Sequence, residues 1–153
     1  MSSRLIGKKF FREIENLGNR IVRGMRDRLA KNGSNASGKL SQSIDFRYFE
    51  ANTDKITLKF SLRKYYKFVE HGRGPGKRPP QRKIRGWIRD KGISTGDKSI
   101  KSTAFLIARK IGNEGTRAQP FVKPTLREQK PIVRKRLGNV IAGKLKFLFN
   151  QNL

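Results

Sequence analysis

The sequence contains no cysteine, and this absence excludes disulfide bonds, thiolate metal sites and cysteine nucleophiles together. Histidine occurs only once, at His71, and the 11 acidic residues are scattered along the chain. They form no Asp-x-Asp or Glu-x-x-His arrangement of the kind that binds metals or performs acid–base catalysis. We therefore expect no metal, no cofactor and no enzymatic activity.

Two patterns that indicate nucleophilic catalysis or nucleotide binding are also missing. No Gly-x-Ser-x-Gly segment supplies an activated serine, so we interpret His71 as a turn or interface residue. The segment from Gly72 to Lys77 is rich in glycine, but a phosphate-binding loop needs one more residue before its second glycine. In addition, Arg78 replaces the hydroxyl residue that would hold magnesium. We therefore reject a phosphate-binding loop here.

Long apolar runs and negative charge are also scarce. No run approaches the ~18 apolar residues of a membrane span, and the basic N-terminus lacks the apolar core of a signal peptide. We therefore expect a cytoplasmic chain with no membrane partner. Against the 11 acidic residues stand 37 lysines and arginines, which give a formal net charge of +26. Such a balance favours polyanionic partners, either nucleic acid or acidic protein surfaces.

The length of 153 residues is most simply that of one domain, which can bury ~68–70% of its unfolded surface. The positive charge is unevenly distributed along it. Residues 32–62 contain 4 basic and 3 acidic side chains, whereas residues 63–101 contain 13 and 3. We place the sheet in the nearly neutral stretch.

Hydrophobic periodicity predicts the elements of the first half. A helix from roughly Ser3 to Lys31 has an apolar stripe with steps of three or four residues, formed by Phe10, Ile14, Leu17, Ile21, Met25 and Leu29. Strict alternation over residues 44–48 and 56–62, with Ala51 to Asp54 between them, predicts a β-hairpin. Because an isolated hairpin is barely stable, we expect the first helix to cover its apolar face.

Three helices are predicted in the second half. The first spans Gln81–Lys91, and the second runs from about Lys98 to Ile111 and stops at Gly112. The last helix begins near Thr125, where Thr125 and Glu128 form a capping-box pattern. Pro131 either kinks this helix or lies in the first turn of a later start. Its apolar face consists of Leu126, Val133, Leu137, Val140, Ile141, Leu145 and Leu148.

A basic cluster covers the segment that follows the sheet region and the first of these helices. The segment Gly72–Pro80 is so rich in glycine and proline that we expect a projecting loop. This loop and the helix after it carry the candidate contacts to DNA or to an acidic partner, namely Lys77, Arg78, Arg82, Lys83, Arg85 and Arg89. The alternative is a solvated helix face from which Trp87 packs inward.

Several motifs follow one another in an order that resembles a known family. The long first helix precedes the pattern Gly38-x-Leu40-x-x-Ser43-Ile44 and the hairpin. The aromatic run from Tyr65 then ends in Val69-Glu70-x-Gly72, and some fifty residues later comes Pro120-Phe121-x-x-Pro124. This order is similar to that of the tail-completion proteins of long-tailed bacteriophages, the neck proteins that act as tail terminators and in head–tail joining.

The resemblance implies an α+β fold in a single domain over residues 1–153. A small, mostly antiparallel sheet built on a β-hairpin would be packed by a long N-terminal helix and a long C-terminal helix. The basic loop–helix insertion at about 72–101 is longer and more basic than expected in a compact member of the family.

The resemblance also implies a structural role in the virion. Family members cap the tail tube and join it to the head connector as a homo-oligomeric ring, typically of six copies, in the neck between head and tail. The expected partners are the tail tube protein, the head connector or stopper proteins, and genomic DNA through non-specific contact in the lumen. The candidate residues for contacts between subunits or to the tube and connector are Glu70, Gly72, Arg73, Gly74, Arg117, Pro120, Phe121 and Pro124.

The net charge limits how much of this role DNA can explain. A ring ~40 Å long encloses about 24 phosphates, because duplex DNA carries about one charge per 1.7 Å of axis. Six copies at +26 would carry about 156 positive charges, so most of them must face solvent or acidic neighbours. The main alternative is a basic nucleic-acid-binding protein of ribosomal or nucleoid type. A nuclease is disfavoured because the acidic metal cluster it would need is missing.

Overall fold

A computed structural model describes residues 2–34, 36–52 and 55–150. Side chains are described for residues 7–34, 36–49 and 56–142. Within this part, the chain forms six helices and one two-stranded antiparallel sheet, which confirms the predicted α+β class. The elements in chain order are α1 (Ser2–Lys31), α2 (Lys39–Gln42), β1 (Asp45–Asn52), β2 (Lys55–Ser61), α3 (Tyr66–His71), α4 (Gln81–Lys91), α5 (Ile100–Glu114) and α6 (Val122–Asn150).

The β-hairpin has the predicted alternation and is covered by α1. Phe46 lies opposite Phe60, and Tyr48 lies opposite Leu58. The Phe46 and Phe60 rings have centroids 6.1 Å apart and pack against the core under α1. Gly18 of α1 leaves the space that the Phe46 ring fills. Thr53 and Asp54, in the predicted turn, lie outside the described residues.

The main core forms along the apolar stripe of α1. Met25 and Leu29 are fully buried there together with Ile44 and Phe121. The stripe residues Ile14, Leu17 and Ile21 are also buried, which confirms the prediction for this helix. The long helix α6 packs beside α1, and two salt bridges, Arg28–Glu128 and Arg136–Glu13, join the two helices. The predicted packing of the hairpin by a long N-terminal helix and a long C-terminal helix is therefore present.

A second, smaller core joins α4 to α5. It consists of Ile84 and Ile88 from α4 and Ala104 and Ala108 from α5. The small alanine side chains allow the two helices to approach closely. Among the described residues, no helix is long and apolar enough to cross a membrane.

Two predictions about helix ends are wrong. Helix α5 continues through Gly112 to Glu114 and is capped by Gly115, which has a φ of 79°. Gly112 is instead a packing position against Arg78 and the Gly76 carbonyl oxygen. Helix α6 begins at Val122, so Thr125 is not a capping residue. Its hydroxyl instead donates a 2.7 Å hydrogen bond to the Phe121 carbonyl oxygen, within the first turn.

Pro131 lies inside α6, which begins at Val122 and continues to Asn150, so of the two alternatives for Pro131 the later helix start is excluded. Leu126 and Ile141 are exposed, because the face of α6 that meets α1 lies elsewhere around the helix. Val133 is partly buried against the main core. The side chains of Leu145 and Leu148 lie outside the described ones.

Other short segments also differ from the sequence-based expectation. Helices α2 and α3 were not predicted. The loop after Gly72 does not project over its first residues, because residues 73–76 are hydrogen-bonded to the segment 112–116. Ile100, at the start of α5, is exposed although its apolar side chain and helical spacing would suit burial.

Candidate polyanion-binding site

The two sequence motifs that carry the family resemblance lie side by side in the fold. The Gln119 amide donates a 2.8 Å hydrogen bond to the Val69 carbonyl oxygen. Arg73 and Thr116 form an isolated antiparallel bridge, with N–H···O distances of 3.0 and 2.7 Å. We use the name motif clasp for the paired segments 69–73 and 115–123.

Glu70 is the centre of the motif clasp. Its carboxylate accepts hydrogen bonds from the amides of Phe121, Val122 and Lys123 at 2.7, 2.8 and 2.9 Å. These amides stand at the start of α6, where they have no intrahelical partner. Glu70 therefore caps a helix that begins about fifty residues later. Burial raises the pKa of Glu70, but the three amide bonds and the nearby His71 hold the pKa below its usual value.

Two glycines allow the backbones of the motif clasp to approach each other. Gly72 has a φ of 70° and lies against the Thr116 carbonyl oxygen and the Ala118 amide. Gly115 has a φ of 79° and lies against the Arg73 carbonyl oxygen. A side chain at either position would meet backbone atoms and would also force a conformation that L-residues rarely adopt.

The motif clasp determines which of the predicted interface residues are exposed. Glu70 and Phe121 are buried inside the chain, so these two residues are not accessible for the predicted contacts with other subunits, the tube or the connector. Gly74, Arg117 and Pro120 are exposed. Gly72, Arg73 and Pro124 are half-buried. The interface role of these six residues stays a prediction.

Helices α4 and α5 form an arm that extends from the motif clasp. We define the arm as residues 74–114, because the Arg73–Thr116 bridge closes its base. The Gly76 amide donates to the Gly112 carbonyl oxygen at 2.8 Å, and the Lys91 ammonium donates to the Gly33 carbonyl oxygen of the main body. The arm is longer than the insertion predicted at 72–101, since all of α5 is needed to cover α4.

A groove of about 390 Å³ runs between the two helices of the arm. Arg82, Arg85 and Arg89 line it from α4, and Ile100 and Lys101 line it from α5. The spacing of three and four residues places the three arginines on one face of α4. We call these three residues the arginine row.

Helix α5 carries a second row of three residues, of which Lys101 lines the groove. Lys101, Phe105 and Arg109 are four residues apart and share one face of α5. Phe105 is exposed, and the Arg109 guanidinium lies 5.9 Å from the centroid of its ring. Lys101 and Arg109 were not among the residues predicted from the sequence. Their spacing on one helix face is visible in the sequence, but its importance depends on the packing of α5 against α4.

The other predicted cluster residues lie elsewhere on the arm. Lys83 and Trp87 are four residues apart and share a face of α4 that differs from the face of the arginine row. Trp87 is exposed, which does not agree with the alternative in which Trp87 packs inward. Arg78 packs over Gly112, and the Lys77 carbonyl oxygen accepts a hydrogen bond from the Arg73 guanidinium. The structure therefore brings together three of the six predicted residues.

Charge compensation in the groove is weak. The salt bridges among the described side chains involve Arg28, Lys110 and Arg136, and none involves a residue of the arginine row or Lys101. The arm as a whole contains 11 basic and 3 acidic residues over positions 74–114. The groove is therefore a concentrated positive site that can bind anions.

A cavity of about 450 Å³ lies between α1 and the start of β1. There the Arg26 guanidinium donates to the carbonyl oxygens of Ser41 and Ile44, so we assign Arg26 a structural role.

Among the described residues, no group of three histidine or acidic side chains is placed to hold a metal ion. No protein-family model, curated protein or solved structure matches the chain.

Proposed function

We propose that this protein is a structural component of the neck of a long-tailed bacteriophage. In this proposal it caps the tail tube and joins it to the head connector as a ring, with genomic DNA passing through the lumen. The observation that carries the proposal is the motif clasp. The two motifs that resemble those of tail-completion proteins depend on each other through Glu70, Gly72 and Gly115.

The surroundings of the motif clasp support a role in assembly. Gly74, Arg117 and Pro120 are exposed around a backbone that is held by hydrogen bonds on both sides. Rigid exposed backbone lowers the entropy cost of forming an interface. A ring requires the same surface on every copy to meet a different surface on the next copy. The edge of the motif clasp is our candidate for one of these two surfaces.

The proposal is tested on native virus particles. Particles are purified from the source, washed with high salt and nuclease, and this protein is quantified by mass spectrometry against the tail tube protein. A fixed low copy number that survives both washes is expected for a ring in the neck. Loss of the protein together with the nucleic acid, or its recovery with ribosomes, would replace the proposal with the nucleic-acid-binding alternative.

A variant pair examines the proposed interface without disturbing the fold. Arg117 and Arg127 are both exposed arginines, but only Arg117 belongs to the predicted interface. In the proposal, R117E blocks ring formation or attachment to tails while R127E does not. Analytical ultracentrifugation and complementation of a tail-assembly defect measure the two steps. Equal behaviour of the two variants would remove Arg117 from the interface.

A further inference from the structure

We infer that the groove of the arm binds the sugar–phosphate backbone of nucleic acid. The arginine row contacts successive phosphates of one strand, and Lys101 contacts the backbone from α5. This inference does not rest on the neck assignment, because the site belongs to the arm alone. It assigns a definite location to nucleic-acid contact in a chain whose positive charge is otherwise widely distributed.

The spacing of the arginine row supports a regular polyanion. An α-helix rises 1.5 Å per residue, so the row extends over about 10 Å along α4. One strand of duplex DNA carries a phosphate every 3.4 Å of axis, so about three phosphates fall within this length. Every nucleic-acid strand presents this phosphate repeat whatever its sequence, whereas the spacing of carboxylates differs from one acidic protein surface to the next, and the regular row therefore favours nucleic acid.

The chemistry of the row supports phosphate as the group recognised. A guanidinium presents a rigid fork of donors that matches a phosphate, and it remains charged at every physiological pH. No carboxylate among the described side chains forms a salt bridge with Arg82, Arg85 or Arg89. Their donors are therefore available to a ligand. The contacts would be independent of sequence, because phosphates carry no base information.

The start of α5 adds to the positive potential of the groove. Ile100 and Lys101 line the groove and are the first two residues of the 15-residue helix α5. Amides in the first turn have no intrahelical partner, and the helix dipole is positive at this end. The Ser99 hydroxyl accepts a hydrogen bond from the Ser102 amide. Helix end, arginine row and Lys101 thus meet at one groove.

The test compares two triple variants of the full chain that lose the same charge. R82A/R85A/R89A removes the arginine row, whereas R47A/R127A/R134A removes three exposed arginines from β1 and α6. Binding to a labelled 20-base-pair duplex is measured by fluorescence anisotropy at several NaCl concentrations. Circular dichroism and the melting temperature verify that each variant is folded, and the single variant R89A tests one exposed member of the row without altering the others.

The salt dependence of binding gives the expected result. Each phosphate contact contributes about 0.9 to the slope of log K against log salt. Loss of the arginine row should therefore reduce the slope by about 2.7, which makes the fall in affinity between 50 and 200 mM NaCl about 40-fold smaller than for the wild type. R89A should reduce the slope by about 0.9. The control triple variant should keep a slope close to that of the wild type.

Two results would overturn the inference. Equal reductions in slope for the two triple variants would mean that DNA is bound by overall charge and not by the groove. The second comparison is between binding of DNA and binding of poly-glutamate, which represents an acidic protein. If loss of the arginine row weakens poly-glutamate binding as strongly as DNA binding, the groove recognises carboxylates and the assignment to nucleic acid is wrong.

Discussion

At the scale of single residues, Glu70 links two segments that lie about fifty residues apart in the sequence. One carboxylate satisfies three amides at the start of α6 and holds the segment before that helix against α3. A neighbouring residue usually performs this capping task. Here the cap comes from another element, so the carboxylate stabilises tertiary structure and the helix start together. Its negative charge also complements the positive end of the helix dipole.

Glu70 should make stability depend on pH with a known sign. Its pKa is lower in the folded chain than in the unfolded chain, so its stabilisation is present above a pH of about 4.5 and is lost as the pH falls through the folded pKa. We expect E70Q to lower the free energy of unfolding by about 2–3 kcal/mol at pH 7, because the three amides at the start of α6 lose their charged hydrogen-bond acceptor. Urea unfolding followed by circular dichroism from pH 7 to pH 3 measures the difference from the wild type, which should shrink towards the acid end.

The matched control for this prediction is Glu114. It is exposed and forms only a weak pair with Lys110, so E114Q should change the free energy of unfolding by at most about 0.5 kcal/mol at any pH. A difference between E70Q and the wild type that stays constant from pH 7 to pH 3 would show that the carboxylate charge does not stabilise the clasp.

At the scale of secondary-structure elements, the arm depends on the glycine at its base. Gly115 combines a positive φ with backbone contact to Arg73, whereas Gly86 lies in the middle of α4 with open space around it. We expect G115A to destabilise the protein by about 2–4 kcal/mol, since strain and a steric clash act together. G86A should instead stabilise it by about 0.5–1 kcal/mol through helix propensity. Guanidinium unfolding of both variants measures the contrast, and equal effects would contradict it.

The elements also show why the sequence predicts some features and not others. Helix α1, the pairing of the two strands and the bounds of α4 follow from periodicities that arise within each element, and they were predicted correctly. Ala51 and Asn52 were predicted in the turn but belong to β1. The end of α5 and the start of α6 depend on partners distant in sequence, Arg78 for Gly112 and Glu70 for Val122. No local pattern contains that information. The groove was found only in part, because its second wall requires knowledge that α5 packs on α4.

At the scale of the whole molecule, the formal net charge is +26, because 11 acidic residues stand against 37 lysines and arginines. The described side chains form three salt bridges, so most of the described lysines and arginines form no salt bridge with a described carboxylate. Arg47 even lies opposite Lys59 across the hairpin, where like charges are destabilising. A compact chain with this charge repels itself, and the repulsion weakens as salt shortens the Debye length.

Thermal stability should therefore rise with ionic strength. Between 20 and 500 mM NaCl we expect the melting temperature to increase by about 3–6 °C, which corresponds to about 1–2 kcal/mol of relieved repulsion for a chain of this size. R47E/R127E/R134E lowers the net charge from +26 to +20 and replaces the Arg47–Lys59 repulsion with an attraction. That variant should melt at a higher temperature than the wild type in 20 mM NaCl and gain less from added salt. Differential scanning calorimetry at matched protein concentration measures both effects. A melting temperature that falls with added NaCl would mean that attractive ion pairs outweigh the repulsion, and the surplus charge would then have to be compensated within the folded chain.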